Sequence, residues 1–170
     1  PLAPGINKED LWRPSFKIEE FLEYARLVGD VRVNLVQMIW YVSDHSYILD
    51  LIAGDPETFA GTGVINLDDP EPDGRMLELA SQGCHAFREP PSKLDHPAMD
   101  KLFVTGAENQ LALSFNMGVD LLPAMDRMCE RHPQTPVILD HVCHVGIGIP
   151  DYSQEDLEAL QRFARHENVM

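Results

Sequence analysis

A carboxylate and two imidazoles fall together at Asp140, His141 and His144, directly after the apolar run Pro136-Val137-Ile138-Leu139. Imidazole binds zinc when neutral and exchanges a proton near physiological pH. His141 is therefore a candidate general base and a candidate metal ligand, against the alternative of a structural histidine bonded to backbone. Other apolar runs end on side chains of the same kind. One is followed by Trp40, Tyr41, Asp44 and His45, another closes on Arg88 and Glu89, and a third on Asn116. Arg88 can grip a carboxylate with two parallel hydrogen bonds, or pair with Glu89 or a helix acid. Trp40 and Tyr41 read either as a substrate wall or as packing, and His45 either as a substrate contact or as the neighbour of a helix cap. The acids Asp68, Asp69, Glu71 and Asp73, broken by Pro70 and Pro72, read as a solvated turn.

Side chains at the ends of strands share one site only if the strands are parallel and neighbouring. From Val33 onward, short β-branched or apolar runs alternate with segments of helical period, with turn residues between them. The predicted strands are Val33 to Met38, Gly63 to Leu67, Cys84 to Arg88, Leu111 to Phe115 and Val137 to Asp140. None alternates polar with apolar, as expected of parallel strands covered on both faces. The predicted helices are Ile18 to Leu27, Ser46 to Ala53, Gly74 to Ser81, Met99 to Asn109, Leu121 to Arg131 and Gln154 to His166. Asp73 is placed to cap the third, and Ser153, with Tyr152 before it, to start the last. The predicted fold class is α/β, with parallel strands alternating with helices in a single domain over residues 1–170. Residues 1–16, rich in proline, read as an irregular lead-in.

A closed (β/α)8 barrel takes about 250 residues, and this chain has 170. Either the sheet is open and doubly wound or the chain is a partial TIM barrel. The chain opens on a loop leading into a helix with no strand before it. It stops at Asn168-Val169-Met170, where a new strand begins, so both ends read as cut. An unclosed barrel would expose strand edges and an apolar inner face, from which a homo-oligomer is expected.

Composition bounds the partners. The chain is 44% hydrophobic and 24% charged with a formal charge of −15, which repels phosphate backbones and anionic membranes. A small-molecule substrate is expected, with no nucleic acid and no membrane. No signal peptide or spanning stretch is present in the sequence, and Cys84, Cys129 and Cys143 show no metal or disulfide spacing. They read as reduced core residues in a cytoplasmic protein. Neither a glycine-rich phosphate loop nor a serine elbow is present.

Several segments, taken in order and spacing, carry a family resemblance. They are Pro1-Leu2-Ala3-Pro4-Gly5, Asp10-Leu11-Trp12 and Pro14-Ser15-Phe16; Val36-Gln37 with Asp44-His45-Ser46-Tyr47-Ile48-Leu49; Phe59-Ala60-Gly61-Thr62-Gly63-Val64; Gly83-Cys84-His85-Ala86-Phe87-Arg88; Leu122-Pro123; and Pro136-Val137-Ile138-Leu139-Asp140-His141. The chain resembles the amidohydrolase-related branch of the metal-dependent hydrolases, TIM-barrel proteins that include lactonases and decarboxylases. The resemblance implies barrel strands two to six, without the HxH of the first strand or the acid of the eighth. It places the histidine after strand six at His141, a tentative ligand for a zinc-like divalent metal. It places the arginine after strand four at Arg88, where a substrate carboxylate would be held. Strand five often supplies another histidine ligand, but this chain has Asn116 there, which moves the reading toward lactonase-like members that work without a metal. The implied activity is hydrolysis of a small carboxylate-bearing molecule such as a lactone or cyclic amide. The alternatives are a decarboxylase on the same barrel, or a catalytically silent fragment or binding protein.

Overall fold

Strand formation follows the β-branched and aromatic runs, and all five strands join one parallel sheet in the order in which they occur in the chain. They are β1 (Val33–Val36), β2 (Phe59–Gly63), β3 (Cys84–Glu89), β4 (Ala112–Phe115) and β5 (Val137–Leu139). The helices are α1 (Ile18–Ala25), α2 (Ser46–Gly54), α3 (Pro72–Ser81), α4 (Pro97–Asn109), α5 (Leu122–Arg131) and α6 (Gln154–Phe163). The computed structural model describes Gly5, Asn7, Glu9 and residues 17–29, 31–41, 43–146 and 153–170. The lead-in otherwise lies outside the described residues, as does Tyr152.

Sequential strand order decides between the two architectures. Right-handed crossovers between successive neighbours carry every helix to the same side of the sheet, whereas a doubly wound sheet reverses its order at a switch point. The chain is thus a partial (β/α)8 barrel. Beyond β5, Val169 bridges Val137 in parallel. The amide of Val137 donates to the Asn168 carbonyl at 2.8 Å, and that of Met170 donates to the Val137 carbonyl at 2.8 Å. The expected extended run at Asn168-Val169-Met170 is therefore present.

The register separates the two faces of the sheet. Phe87, Leu113 and Val137 are partners across β3, β4 and β5, as are Glu89, Phe115 and Leu139. The apolar members of these rows join Met76, Leu79, Met99, Leu102, Phe103 and Met125 in one buried cluster beneath the helices. Burying each such side chain contributes about 1.5–3 kcal/mol. On the other face, Thr62, Ala86 and Ala112 form one row, and Arg88, Ser114 and Ile138 another. The inner face is therefore mostly small and polar, not apolar as the sequence suggests, because the bulky residues at alternate positions all turn to the helices.

The second strand is displaced from its expected place. It runs over Phe59–Gly63, and the apolar Val64 to Leu67 is the loop after it. Packing explains the small residues that hide this strand. A Cβ on Gly61 would lie 2.7 Å from the Cys84 sulfur and 3.1 Å from Ile52. The β2–β3 register also shifts at this point, leaving His85 as the extra residue. Helix starts differ by one or two residues. α3 opens at Pro72, where a missing N–H costs nothing, so Asp73 lies in its first turn and not at the cap. α4 is capped by His96, whose Nδ1 accepts from the Ala98 amide at 3.2 Å. Ser153 caps α6 as expected, its Oγ accepting from the Asp156 amide at 3.0 Å. The three cysteines are free and buried.

Candidate active site

Side chains that follow parallel strands gather at their carboxyl ends, and here β3, β4 and β5 bring three polar residues onto the inner face. Arg88 lies opposite Ser114 in the register, and Asp140 follows β5 two residues beyond Ile138, on the same side. Adjacent strands are about 4.8 Å apart, so joining β3 to β5 takes a long side chain. Arg88 supplies it: its Nη2 lies 2.7 Å from Asp140 Oδ2, with the two side chains 22% and 10% exposed. Ser114, on the strand between, donates from Oγ to Asp140 Oδ1 at 2.9 Å. The Arg88 Nε–H meets no acceptor among the described residues. The sequence offered Glu89 or a helix acid as the partner of Arg88. That assignment is corrected, because adjacent strand residues point to opposite faces and Glu89 points away.

Glu89 is 1% exposed. Its Oε1 accepts from the Ile65 amide at 3.0 Å, and its Oε2 meets no partner among the described residues. Burial pushes its carboxyl up to about 8, against the pull of that amide, so Glu89 is a neutral acid at pH 7. The preceding amide, Val64 N–H, donates to His45 Nε2 at 3.0 Å, and His45 Nδ1 lies 2.9 Å from the Ser43 carbonyl. Both contacts are met by the tautomer with its proton on Nδ1. His45 is 2% exposed, and burial holds it below the usual histidine range, with the Ser43 contact opposing. Its expected substrate contact is corrected: both nitrogens are committed to backbone, and the ring positions the loop after β2.

That loop is one wall of a cleft of about 540 Å³ at the carboxyl end of the sheet. Met38, Ile39 and Trp40 form a second wall, and Arg88, Glu89, Lys93 and Asn116 also line it. Trp40, Arg88 and Asn116 thus stand where the sequence placed a substrate site. Tyr41 does not line the cleft and is 39% exposed. His141 is also outside it. Its ring lies 5.8 Å from that of His144, whose Nε2 is hydrogen-bonded to Asn116 Oδ1. His141, Val142, Cys143 and His144 all have left-handed backbone, with φ between 51° and 61°. Such residues cost about 1–3 kcal/mol each and gather at functional sites.

No three His, Cys, Asp or Glu side chains converge as a metal-binding group among the described residues. Asp140 is taken up by Arg88 and Ser114, and His144 by Asn116, so His141 stands without companions of that kind. The described residues do not fit a metal centre on their own.

The amidohydrolase family profile matches residues 8–170. The chain belongs to the amidohydrolase family. Among solved structures, the chain is similar to a probable 2-pyrone-4,6-dicarboxylic acid hydrolase from Acinetobacter baumannii with citric acid bound, at 16% identity and a TM-score of 0.74, covering 96% of this chain and 60% of that one. It is also similar to an amidohydrolase from Burkholderia multivorans with bound zinc, at 18% identity and a TM-score of 0.70, covering 93% of this chain and 58% of that one. A third, an apo structure from Agrobacterium tumefaciens, is 19% identical with a TM-score of 0.66, covering 89% of this chain and 55% of that one. At these identities the likeness shows the fold. The chain spans 60% or less of the length of these structures. No match is found among curated proteins. Among the described residues, no helix is long and apolar enough to cross a membrane.

Sequence reasoning passed over Ser114 and Lys93, and named Glu89 only beside Arg88 at the end of its run. Strand alternation was the available signal for Ser114 and Glu89, since it puts Ser114 on the face of Arg88 and Glu89 on the other.

Proposed function

We propose that the protein is a hydrolase in which water attacks the carbonyl of a small carboxylate-bearing molecule, a lactone or cyclic amide, bound in the cleft beside Arg88. The observation that supports this most is the unfilled Arg88 Nε–H. A guanidinium held by Asp140, itself bonded to Ser114, and with one buried donor unmet among the described residues, is preorganised for an acceptor from a ligand. Met38, Ile39, Trp40 and Leu67 give the cleft apolar walls suited to the rest of a ring.

In this reading Asp140 holds the Arg88 plane, Ser114 holds Asp140, and the His45 and Glu89 contacts fix the opposite wall. These residues bind and orient the substrate, and activation of the water is assigned to none of them. The partner is a small molecule, and a homo-oligomer in the cytoplasm is the expected setting. Hydrolysis of a carboxylate-bearing lactone and of its methyl ester tests the proposal in the wild type and in Arg88→Met. The variant should raise KM at least tenfold for the carboxylate and leave the ester within about threefold. Equal effects on both would overturn the role of Arg88, and release of carbon dioxide in place of ring opening would overturn the hydrolytic reading.

A further inference from the structure

We propose that the side-chain amide of Asn116 is the hydrogen-bond donor for the ligand's carbonyl oxygen, and that His144 is the positioning residue that aims it. The inference rests on the reading of the cleft given above and assigns the carbonyl end of the ligand, where that reading assigned only the carboxylate end.

Strand β4 and the residue that follows it supply the geometry. Ser114 and Asn116 stand two residues apart, and each is bonded to the segment after β5: Ser114 to Asp140, and Asn116, through Oδ1, to His144 Nε2. Arg88 crosses β4 to reach Asp140, which brings its guanidinium alongside Ser114. Asn116 is the next inward residue toward the carboxyl end, about 7 Å beyond Ser114 at the rise of a strand. Arg88 and Asn116 line the same cleft, and Asn116 is exposed.

The bond to His144 decides what Asn116 shows to that cleft. Imidazole Nε2 donates in the imidazolium and in the neutral tautomer that carries its proton there, and a carboxamide oxygen only accepts. With Oδ1 taken, the group left for a ligand is Nδ2, which meets no acceptor among the described residues. An NH2 donor calls for an oxygen acceptor, and the same contact polarises a carbonyl toward attack by water.

The place of His144 is itself set by the fold. It ends the left-handed run that begins at His141, with φ of 61°, and such backbone persists only where its surroundings over-determine it. Asp140 is tied to Arg88 and Ser114 just before the run, and Cys143 within it is 2% exposed. The imidazole that holds Asn116 therefore projects from an anchored turn.

The probes are benzoate, a planar apolar ring with one carboxylate, and meta-acetylbenzoate, which adds one carbonyl to it. Both are titrated calorimetrically into the wild type and into Asn116→Ala, an exposed position that tolerates truncation. One net hydrogen bond makes meta-acetylbenzoate bind the wild type about fivefold more tightly than benzoate. In Asn116→Ala the two should come within about twofold of each other, with benzoate itself within about threefold of the wild type. His144→Phe, which keeps a ring and loses the donor, should lose most of the advantage, and His144→Gln, whose NH2 still donates, should keep it. No advantage in the wild type, or the same advantage in Asn116→Ala, overturns the proposal. A full advantage in His144→Phe overturns the positioning role. If Arg88→Met loses both ligands while the advantage survives Asn116→Ala, the cleft reading stands and the Asn116 proposal falls. If Arg88→Met binds benzoate as the wild type does while Asn116→Ala abolishes the advantage, the reverse holds. Binding of neither ligand overturns both.

Discussion

Arg88 on β3 reaches across β4 to Asp140 beyond β5, closing to 2.7 Å on the inner face of the sheet. The pair joins strands that are not neighbours, and Ser114, on the strand between, bonds to the same carboxylate. Removing one partner from a largely buried ion pair strands the other charge. Arg88→Met should therefore destabilise by about 2–4 kcal/mol, and Asp140→Asn added to it should restore a good part of that. Urea denaturation of the two single variants and the double variant measures the coupling. Simple additivity would show that the contact has no energetic reality.

Two buried groups should shift stability with pH in opposite directions. His45 is held below its ordinary 6.5 by burial. The unfolded chain therefore takes up a proton first, and stability is lost as pH drops below that value. Glu89 runs the other way: its contribution is complete below its ordinary 4.5 and is lost as pH rises through about 8. Below pH 6.5 the two slopes oppose each other, so wild-type urea midpoints should fall chiefly between pH 6.5 and 8. Glu89→Gln should flatten that fall and uncover the His45 loss on the acid side, and an unchanged fall between 6.5 and 8 would contradict the assignment.

A pattern repeats at the ends of the helices. Asp100 of α4 contacts Arg131 at the end of α5 and His132 just after it, and Asp126 of α5 contacts Arg165 and His166 after α6. The contact with His132 chiefly holds Asp100 below the usual carboxylate range. At Asp126 burial opposes the shift, and bonds from His166 and Arg165 outweigh it. Asp126→Asn should lower the urea midpoint, with a deficit that narrows at about 1 M salt, where screening reaches about 3 Å. A deficit independent of salt would point to packing instead.

Close approach of β2 to β3 makes Gly61 irreplaceable in the present packing. Gly61→Ala should cost about 1–3 kcal/mol through overpacking, because the Cys84 sulfur lies 2.7 Å from the added methyl position. The loss should shrink in Gly61→Ala/Cys84→Ala. An equal loss in that double variant would place the strain elsewhere.

The cysteines should be silent until unfolding. Burial pushes the Cys84 and Cys143 thiols up to about 11 and that of Cys129 to about 12, so thiolate is scarce at neutral pH. A thiol reagent at pH 7.5 should label none of them in native buffer and all three in denaturant. Rapid native labelling would contradict their packing.

Periodicity made the parallel βα repeat legible, along with four of the five strands to within two residues at either end. It failed at Phe59–Gly63 because tight packing between strands demands small residues, which look like a turn, while the true loop is apolar because it is buried against the core. The ends of β3 and β4 were legible as site positions for Arg88 and Asn116. The union of Arg88 with Asp140 was not, since it depends on register between residues 52 apart in sequence numbering. His45 misled for a related reason: a histidine after a strand reads as chemistry, but here the amide that follows β2 claims its ring.

The central claim is that a ligand carboxylate docks on Arg88, and the Arg88 Nε–H is its own reporter. Its 15N–1H resonance should be followed during a benzoate titration. The account predicts a downfield shift of that signal with slower solvent exchange, saturating together with binding. A signal that stays in place while benzoate binds would contradict it.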